Sequence, residues 1–122
     1  MVNNLKSTSS KDLSKLLIKL NISDFDIIRK KDIYNSNADN IIINLDDKGS
    51  GTHWVAMNKS KKLYFDSYGK QCPETVPKDY KFHTKIIEGF DDTDCGQLCC
   101  LFLYYANYSN INKFYKLFKS LY

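Results

Sequence analysis

Apolar residues near the amino end of the chain recur with the period of a helix. Leu13, Leu16, Leu17 and Leu20 follow the spacing of one helix face, and Ser9-Ser10-Lys11-Asp12 before them offers an N-cap with an acid three places on. This pattern predicts an opening amphipathic helix. Residues 21–40 carry Asn, Asp and Ser among isolated apolar pairs, which predicts a loop with at most one short element.

The middle of the chain carries strand patterns. Residues 41–45 are mainly β-branched and are followed by turn residues, while residues 52–58 and 62–66 form two further runs. A three-stranded antiparallel meander is predicted, with residues 82–87 as a fourth strand. A hairpin turn centred on Lys59-Ser60 would pair His53 with Asp66, Trp54 with Phe65 and Ala56 with Leu63.

The carboxyl-terminal third is predicted to be helical. From Cys95 the sequence is apolar almost all round, which is typical of a central helix buried on every side. Phe114, Leu117, Phe118 and Leu121 repeat the spacing of one face and predict a closing amphipathic helix. The 122 residues are predicted to form a single α+β domain, 1–122, because the chain is too short for two ordinary domains.

Composition narrows the classes of protein to consider. The apolar fraction of 43 % and the charged fraction of 26 % are those of a globular protein. No apolar run reaches the ~20 residues of a spanning helix and no export signal is recognised, so neither a membrane partner nor secretion is expected. The four cysteines are then predicted to be free thiols. The net charge of +4 comes from scattered lysines, which favours a solvated surface over a phosphate-binding one.

Cys95 is the candidate nucleophile. It lies where the central helix begins, and the unpaired N–H groups of a helix N-terminus stabilise a thiolate. Thr93 or Asp94 can serve as N-cap, and Gly96 allows a substrate backbone to approach. The nearby acids at 91, 92 and 94 would oppose a thiolate unless they face solvent. The alternative is a small buried hydrophobe, which is the interpretation for Cys99 and Cys100.

His53 is the candidate base and Asp66 the group that orients it. The predicted register places both on one face of the hairpin, with Cβ atoms ~5 Å apart. A histidine and an aspartate in neighbouring strands are more often surface residues than catalysts, and His83 is a competing base without an obvious acid partner. No metal or cofactor is expected, since the histidines and cysteines lack ligand spacing.

Three motifs in order resemble a known family. They are Gly51-Thr52-His53-Trp54-Val55-Ala56, Tyr64-Phe65-Asp66-Ser67-Tyr68-Gly69 and Asp94-Cys95-Gly96-Gln97-Leu98-Cys99-Cys100. Together they resemble the adenain-like cysteine proteases of adenoviruses, virophages and Maverick/Polinton elements, and more distantly the proteases that process ubiquitin-like proteins. The match spans Ile41 to Tyr105, about half of the chain.

The resemblance implies a fold of the papain-like superfamily, with a small antiparallel sheet packed against a central helix that carries the nucleophile and with amphipathic helices at both ends. It implies a triad of Cys95, His53 and Asp66. Trp54 would wall a narrow substrate channel, although the hairpin pattern predicts equally well that it fills the core.

The implied function is a thiol endopeptidase that matures viral capsid or other structural polypeptides by cutting after small residues such as glycine. It would act in the host cytoplasm or nucleus and inside the virion, and an activating peptide or DNA is a weaker expectation. Two alternatives stay open. One is removal of ubiquitin or a related modifier, and the other is a catalytically weakened binding module.

Glu88 and Gly89 stand where the relatives usually carry a glutamine that helps to hold the oxyanion. An ionised Glu88 would repel that oxyanion, so Glu88 donates as a neutral acid, points away while the Gly89 N–H substitutes, or marks a weak enzyme. The second interpretation is favoured, because glycine lets the backbone turn an amide toward the site.

On that interpretation Glu88→Ala should change kcat/KM by less than about tenfold, or ~1.4 kcal/mol, in steady-state assays. Glu88→Gln should be neutral or faster. A loss of about a hundredfold or more in folded Glu88→Ala, with wild-type rates that fall as pH rises past the carboxyl pKa, would establish the neutral-acid donor instead.

Overall fold

The computed structural model describes residues 9–45, 53–70, 72–83 and 95–117. Within these ranges the protein is α+β. Its helices are α1 (Ser10–Lys19), α2 (Cys95–Tyr108) and α3 (Ile111–Lys116), with a 3₁₀ helix at Lys30–Asn35. Its strands are β1 (Phe25–Arg29), β2 (Asn40–Asn44), β3 (Trp54–Asn58) and β4 (Leu63–Phe65). None of the helices in this part of the chain has the length and apolar character to cross a membrane.

The opening helix forms as its sequence predicts. The Ser9 side chain accepts a hydrogen bond from the Asp12 N–H at 3.1 Å and so caps the helix start. Leu13 and Leu17 are fully buried, and Leu16 and Leu20 pack against the same core. The apolar stripe therefore faces the rest of the protein.

The sheet is mixed and has the strand order β1-β2-β3-β4. Strands β2, β3 and β4 form the predicted antiparallel meander. Strand β1 pairs parallel to β2, in the stretch for which a loop was predicted. The prediction allowed one short element, and the stretch holds two, β1 and the 3₁₀ helix. The four leading residues of β1 are all half-buried, so the strand shows no alternation of buried and exposed positions.

The hairpin between β3 and β4 has a longer turn than predicted. Ala56 pairs with Phe65 and Asn58 with Leu63, a shift of two residues, so His53 and Asp66 are not directly opposed. The Asp39 carboxylate accepts from the Ser60 N–H at 2.8 Å and the Asn58 side chain from the Lys61 N–H at 3.0 Å. These bonds stabilise a four-residue turn. A shift of two keeps every side chain on its predicted face.

The sheet separates two cores. On one face Ile42, Trp54, Ala56 and Phe65 pack against the three helices, with Phe65 stacked on Phe102 of α2 at 4.9 Å. On the other face residues such as Ile41 and Tyr64 pack under the 3₁₀ helix and residues 72–80. Helix α2 is central, but the prediction that it is buried on every side was wrong, since Gln97, Asn107 and Tyr108 are exposed.

The last predicted elements are only partly described. Asn110 caps α3, and Phe114 is fully buried, but Leu117 is half exposed and lies just beyond the helix end; Phe118 and Leu121 lie outside the described residues. In the predicted strand 82–87, Phe82 and His83 lie outside any strand and the remaining residues are not described. Lys81 forms one isolated bridge with Leu63, so pairing to β4 begins before the predicted strand.

Candidate active site

Cys95 is the first residue of α2 and is half-buried. Its Sγ accepts a hydrogen bond from the backbone N–H of Trp54 at 3.2 Å. Gly96 beside it is buried, and the first turn of α2 contains no acid. A helix N-terminus and a backbone donor both favour negative charge on sulfur. The predicted caps Thr93 and Asp94, and the acids at 91 and 92, lie outside the described residues.

The structure brings His53 to Asp66. His53 lies one residue before β3 and Asp66 one residue after β4, and Nε2 of the imidazole lies 2.9 Å from Oδ1 of the carboxylate. The side chains are 17 % and 2 % exposed, so the pair is shielded from water. The Tyr68 backbone N–H donates to the same Oδ1 at 2.8 Å, which fixes the carboxylate from the other side.

The second imidazole nitrogen of His53, Nδ1, is the one that can interact with Cys95. Because Nε2 contacts Asp66, Nδ1 is the nitrogen available to the thiol. Nδ1 is buried and makes no hydrogen bond of ordinary geometry with the part of the chain described here. Yet the thiol of Cys95 acts on the ring, because hydrogen bonding and charge at Cys95 raise the pKa of His53. A loose contact of this kind is common in a free enzyme and tightens when substrate binds.

His53 has a strongly raised pKa. Burial of the ring lowers the pKa, but hydrogen bonding to Asp66 and Cys95, together with their charges, more than offsets burial and raises it to about 9. At neutral pH the ring is therefore an imidazolium. An imidazolium between a carboxylate and a cysteine sulfur can hold a thiolate and can later donate a proton.

The raised pKa predicts a pH dependence of stability. The folded state binds the His53 proton more tightly than the unfolded chain, whose histidine titrates near 6.5. The resulting stabilisation is complete below about pH 6.5 and is lost as pH rises through about 9. We expect the free energy of unfolding in urea to fall across this window, by no more than about 3 kcal/mol. In His53→Gln the contribution of His53 to this slope should be lost, so the slope should be smaller, and an equal slope in both proteins would contradict the assignment.

Trp54 belongs mainly to the core. Its residue is 6 % exposed and its side chain shares the helix-facing cluster with Phe65 and Leu98. It also lines a cleft of about 350 Å³, together with Arg29, Asp32 and other residues at the same end of the sheet. Trp54 therefore joins the core, the cleft and, through its backbone N–H, the Cys95 sulfur.

The remaining candidate residues lie elsewhere. His83 stacks on Tyr115 of α3 with ring centroids 3.9 Å apart, whereas His53 is the histidine that contacts Asp66. Cys99 and Cys100 are fully buried, Cys72 is half-buried, and all four cysteines are free thiols as predicted. Glu88 and Gly89, the predicted oxyanion residues, lie outside the described residues.

Tyr68 is the site residue that sequence reasoning missed. Its ring lies parallel to the His53 ring, with centroids 4.2 Å apart and an interplanar angle of 3°. The sequence does carry one signal for this contact. Tyr68 lies two residues after Asp66 and directly before Gly69, a position at which a turn brings the chain back toward the end of the preceding strand. The sequence alone did not indicate which ring the turn would place on His53.

The chain was compared with protein-family models, with curated proteins and with solved structures, and none of the three comparisons found a match. Among the described residues, no three His, Cys, Asp or Glu side chains cluster in a way that could hold a metal ion.

Proposed function

We propose that this protein is a cysteine endopeptidase with Cys95 as nucleophile, His53 as proton carrier and Asp66 as the group that orients the ring. One observation carries the proposal. A cysteine at the start of a central helix raises the pKa of an imidazole whose Nε2 lies 2.9 Å from a buried carboxylate. Acyl transfer through a thioester requires a nucleophile, a base that carries its proton and an acid that orients the base.

The proposed reaction uses Cys95 as a thiolate and His53 as an imidazolium. The Cys95 thiolate attacks the scissile carbonyl carbon, and the backbone N–H of Cys95 stabilises the oxyanion. The His53 imidazolium gives its Nδ1 proton to the leaving amine as the C–N bond breaks. Neutral His53 then takes a proton from water, whose oxygen attacks the thioester. Cleavage of the C–S bond releases the carboxylic acid and restores the thiolate–imidazolium pair.

The biological setting is inferred from the resemblance of the three motifs to adenain-like proteases. On that basis the core is papain-like, and the substrates are viral capsid or other structural polypeptides cut after small residues such as glycine. The enzyme acts in the host cytoplasm or nucleus and within the virion. The supporting features are His53 directly before β3, which begins at Trp54, Asp66 directly after β4, and Cys95 at the start of the central helix.

The test is direct cleavage. The purified protein is incubated with the structural polypeptides encoded beside its gene, and new termini are mapped by mass spectrometry. We expect new termini after small residues with the wild type and none with Cys95→Ala. Identical termini with both proteins, or none with either, would contradict the proposal.

The main alternative is the removal of ubiquitin or a related modifier, which the Asp94-Cys95-Gly96 pattern favours. A ubiquitin-type probe with a C-terminal electrophile distinguishes it from the cleavage of structural polypeptides. Covalent capture of this probe by Cys95, without cleavage of structural polypeptides, would assign the protein to the removal of ubiquitin-like modifiers. Absence of both reactions would leave a binding module.

A further inference from the structure

The turn after β4 places Tyr68 against both His53 and Asp66. In the stretch Asp66-Ser67-Tyr68-Gly69, the Gly69 N–H donates to the Asp66 backbone carbonyl at 2.8 Å, and Gly69 has φ 72°, a conformation that glycine adopts without cost. This four-residue turn directs the Tyr68 backbone N–H to Asp66 Oδ1 at 2.8 Å. The same turn sets the ring of Tyr68 flat on the imidazole of His53.

We propose that Tyr68 is a positioning residue for the candidate base, because its ring holds one face of the His53 imidazole while its backbone amide anchors the carboxylate that binds the ring edge. This inference rests on the function proposed above. The contacts with Asp66 and Tyr68 restrict two different rotations of the His53 imidazole. The Asp66 bond sets the direction of the Nε2 edge, and the stacked phenol ring sets the plane of the imidazole, so Nδ1 is directed at Cys95.

The stack also affects the charge of His53. A cation within about 6 Å of an aromatic centroid and over its face is stabilised by the ring quadrupole. The centroid separation of 4.2 Å and the interplanar angle of 3° place the imidazolium within that range. Among the described residues, the other groups whose charge acts on His53 are Asp66 after β4 and Cys95 at the start of α2. Tyr68 thus acts with them in favouring the protonated ring.

Exposure makes Tyr68 a suitable residue to change. The residue is 41 % exposed, in contrast to the fully buried Tyr64 on β4, so its removal costs little core packing. Tyr68→Ala removes the stacked ring and keeps the backbone N–H that binds Asp66. Tyr68→Phe keeps a stacked aromatic ring and removes the hydroxyl. Comparing the two variants therefore distinguishes the effect of the Tyr68 ring from the effects of its hydroxyl and its backbone N–H.

The test is an NMR titration of the histidine C–H resonances in the wild type and both variants. We expect Tyr68→Ala to lower the His53 midpoint by about half a pH unit and Tyr68→Phe to leave it unchanged. His83 serves as an internal control, because it stacks on Tyr115 and its midpoint should not move. Tyr34→Ala, at a tyrosine that is 76 % exposed on the 3₁₀ helix, should also leave both midpoints unchanged.

Cleavage kinetics add a second readout. Tyr68→Ala should lower kcat by about three- to tenfold with KM little changed, and its alkaline limb should move to lower pH with the His53 midpoint. A His53 midpoint within about 0.1 unit of the wild type in Tyr68→Ala, or an equal shift in Tyr68→Phe, would overturn the proposal. Tyr68→Leu provides a bulkier ring-free variant if the alanine protein does not fold. The titration needs no substrate, so it reports on Tyr68 even if cleavage is never observed.

Discussion

Replacing Cys95 by alanine should abolish peptide-bond cleavage, with a loss in kcat of at least about 10³-fold and an unchanged fold. Cys95 lies half-buried at the start of α2, where the Trp54 N–H reaches its sulfur at 3.2 Å and its thiol acts on His53. Alanine removes the proposed nucleophile and fills most of the same space. The measurement is the cleavage rate of a mapped substrate, with circular dichroism to verify folding.

Cys99→Ala is the matched control. Cys99 lies one helical turn further along α2 and is fully buried in the helix-facing core. Its replacement should lower the melting temperature by a few degrees at most while kcat stays within about tenfold of the wild type. Full cleavage by Cys95→Ala, or an equal loss of rate in both variants, would contradict the assignment of the nucleophile.

Replacing His53 by alanine should lower kcat by about 10²- to 10⁴-fold, because a positioned proton carrier contributes that much to acyl transfer. His53 is the residue that joins Asp66, at 2.9 Å, to the thiol of Cys95. His83→Ala is the control, since His83 stacks on Tyr115 and should be dispensable. If His83→Ala proves as damaging in a folded protein, the base has been assigned to the wrong histidine.

Asp66→Asn should cause a smaller loss than His53→Ala and should change the pH profile. An asparagine oxygen can still accept from Nε2–H, so the ring keeps its orientation, but the negative charge that raises the pKa of His53 is lost. The wild-type activity should persist until pH approaches about 9, and the alkaline limb of Asp66→Asn should move toward the ordinary histidine value.

Local signals predicted the elements that depend on local contacts. The Ser9 cap and the leucine stripe of α1 are both visible in the short segment from Ser9 to Leu20, and the apolar run of α2 is equally local. Strand β1 was missed because its residues are stabilised by parallel pairing with β2, a contact between segments that no short window of sequence reports.

The sequence predicted that His53 and Asp66 lie together, and the structure shows this contact, but the sequence did not predict its geometry. The turn between β3 and β4 is set by side chains of Asp39 and Asn58, and the first of these lies far from the turn in sequence. The register therefore shifted by two, and His53 reaches Asp66 diagonally through its side chain. Which imidazole nitrogen contacts the carboxylate follows from that geometry, as does the stacking of Tyr68.

Selective alkylation of the cysteines tests whether Cys95 is an activated thiol, and it requires no knowledge of the substrate. The folded protein is treated with limiting iodoacetamide at neutral pH, and the label on Cys72, Cys95, Cys99 and Cys100 is quantified over time by peptide mapping. We expect Cys95 to be labelled first, well ahead of the half-buried Cys72, and we expect His53→Ala to slow this labelling while the labelling rate of Cys72 stays unchanged. Labelling of Cys95 no faster than that of Cys72, at a rate that His53→Ala does not alter, would contradict this expectation.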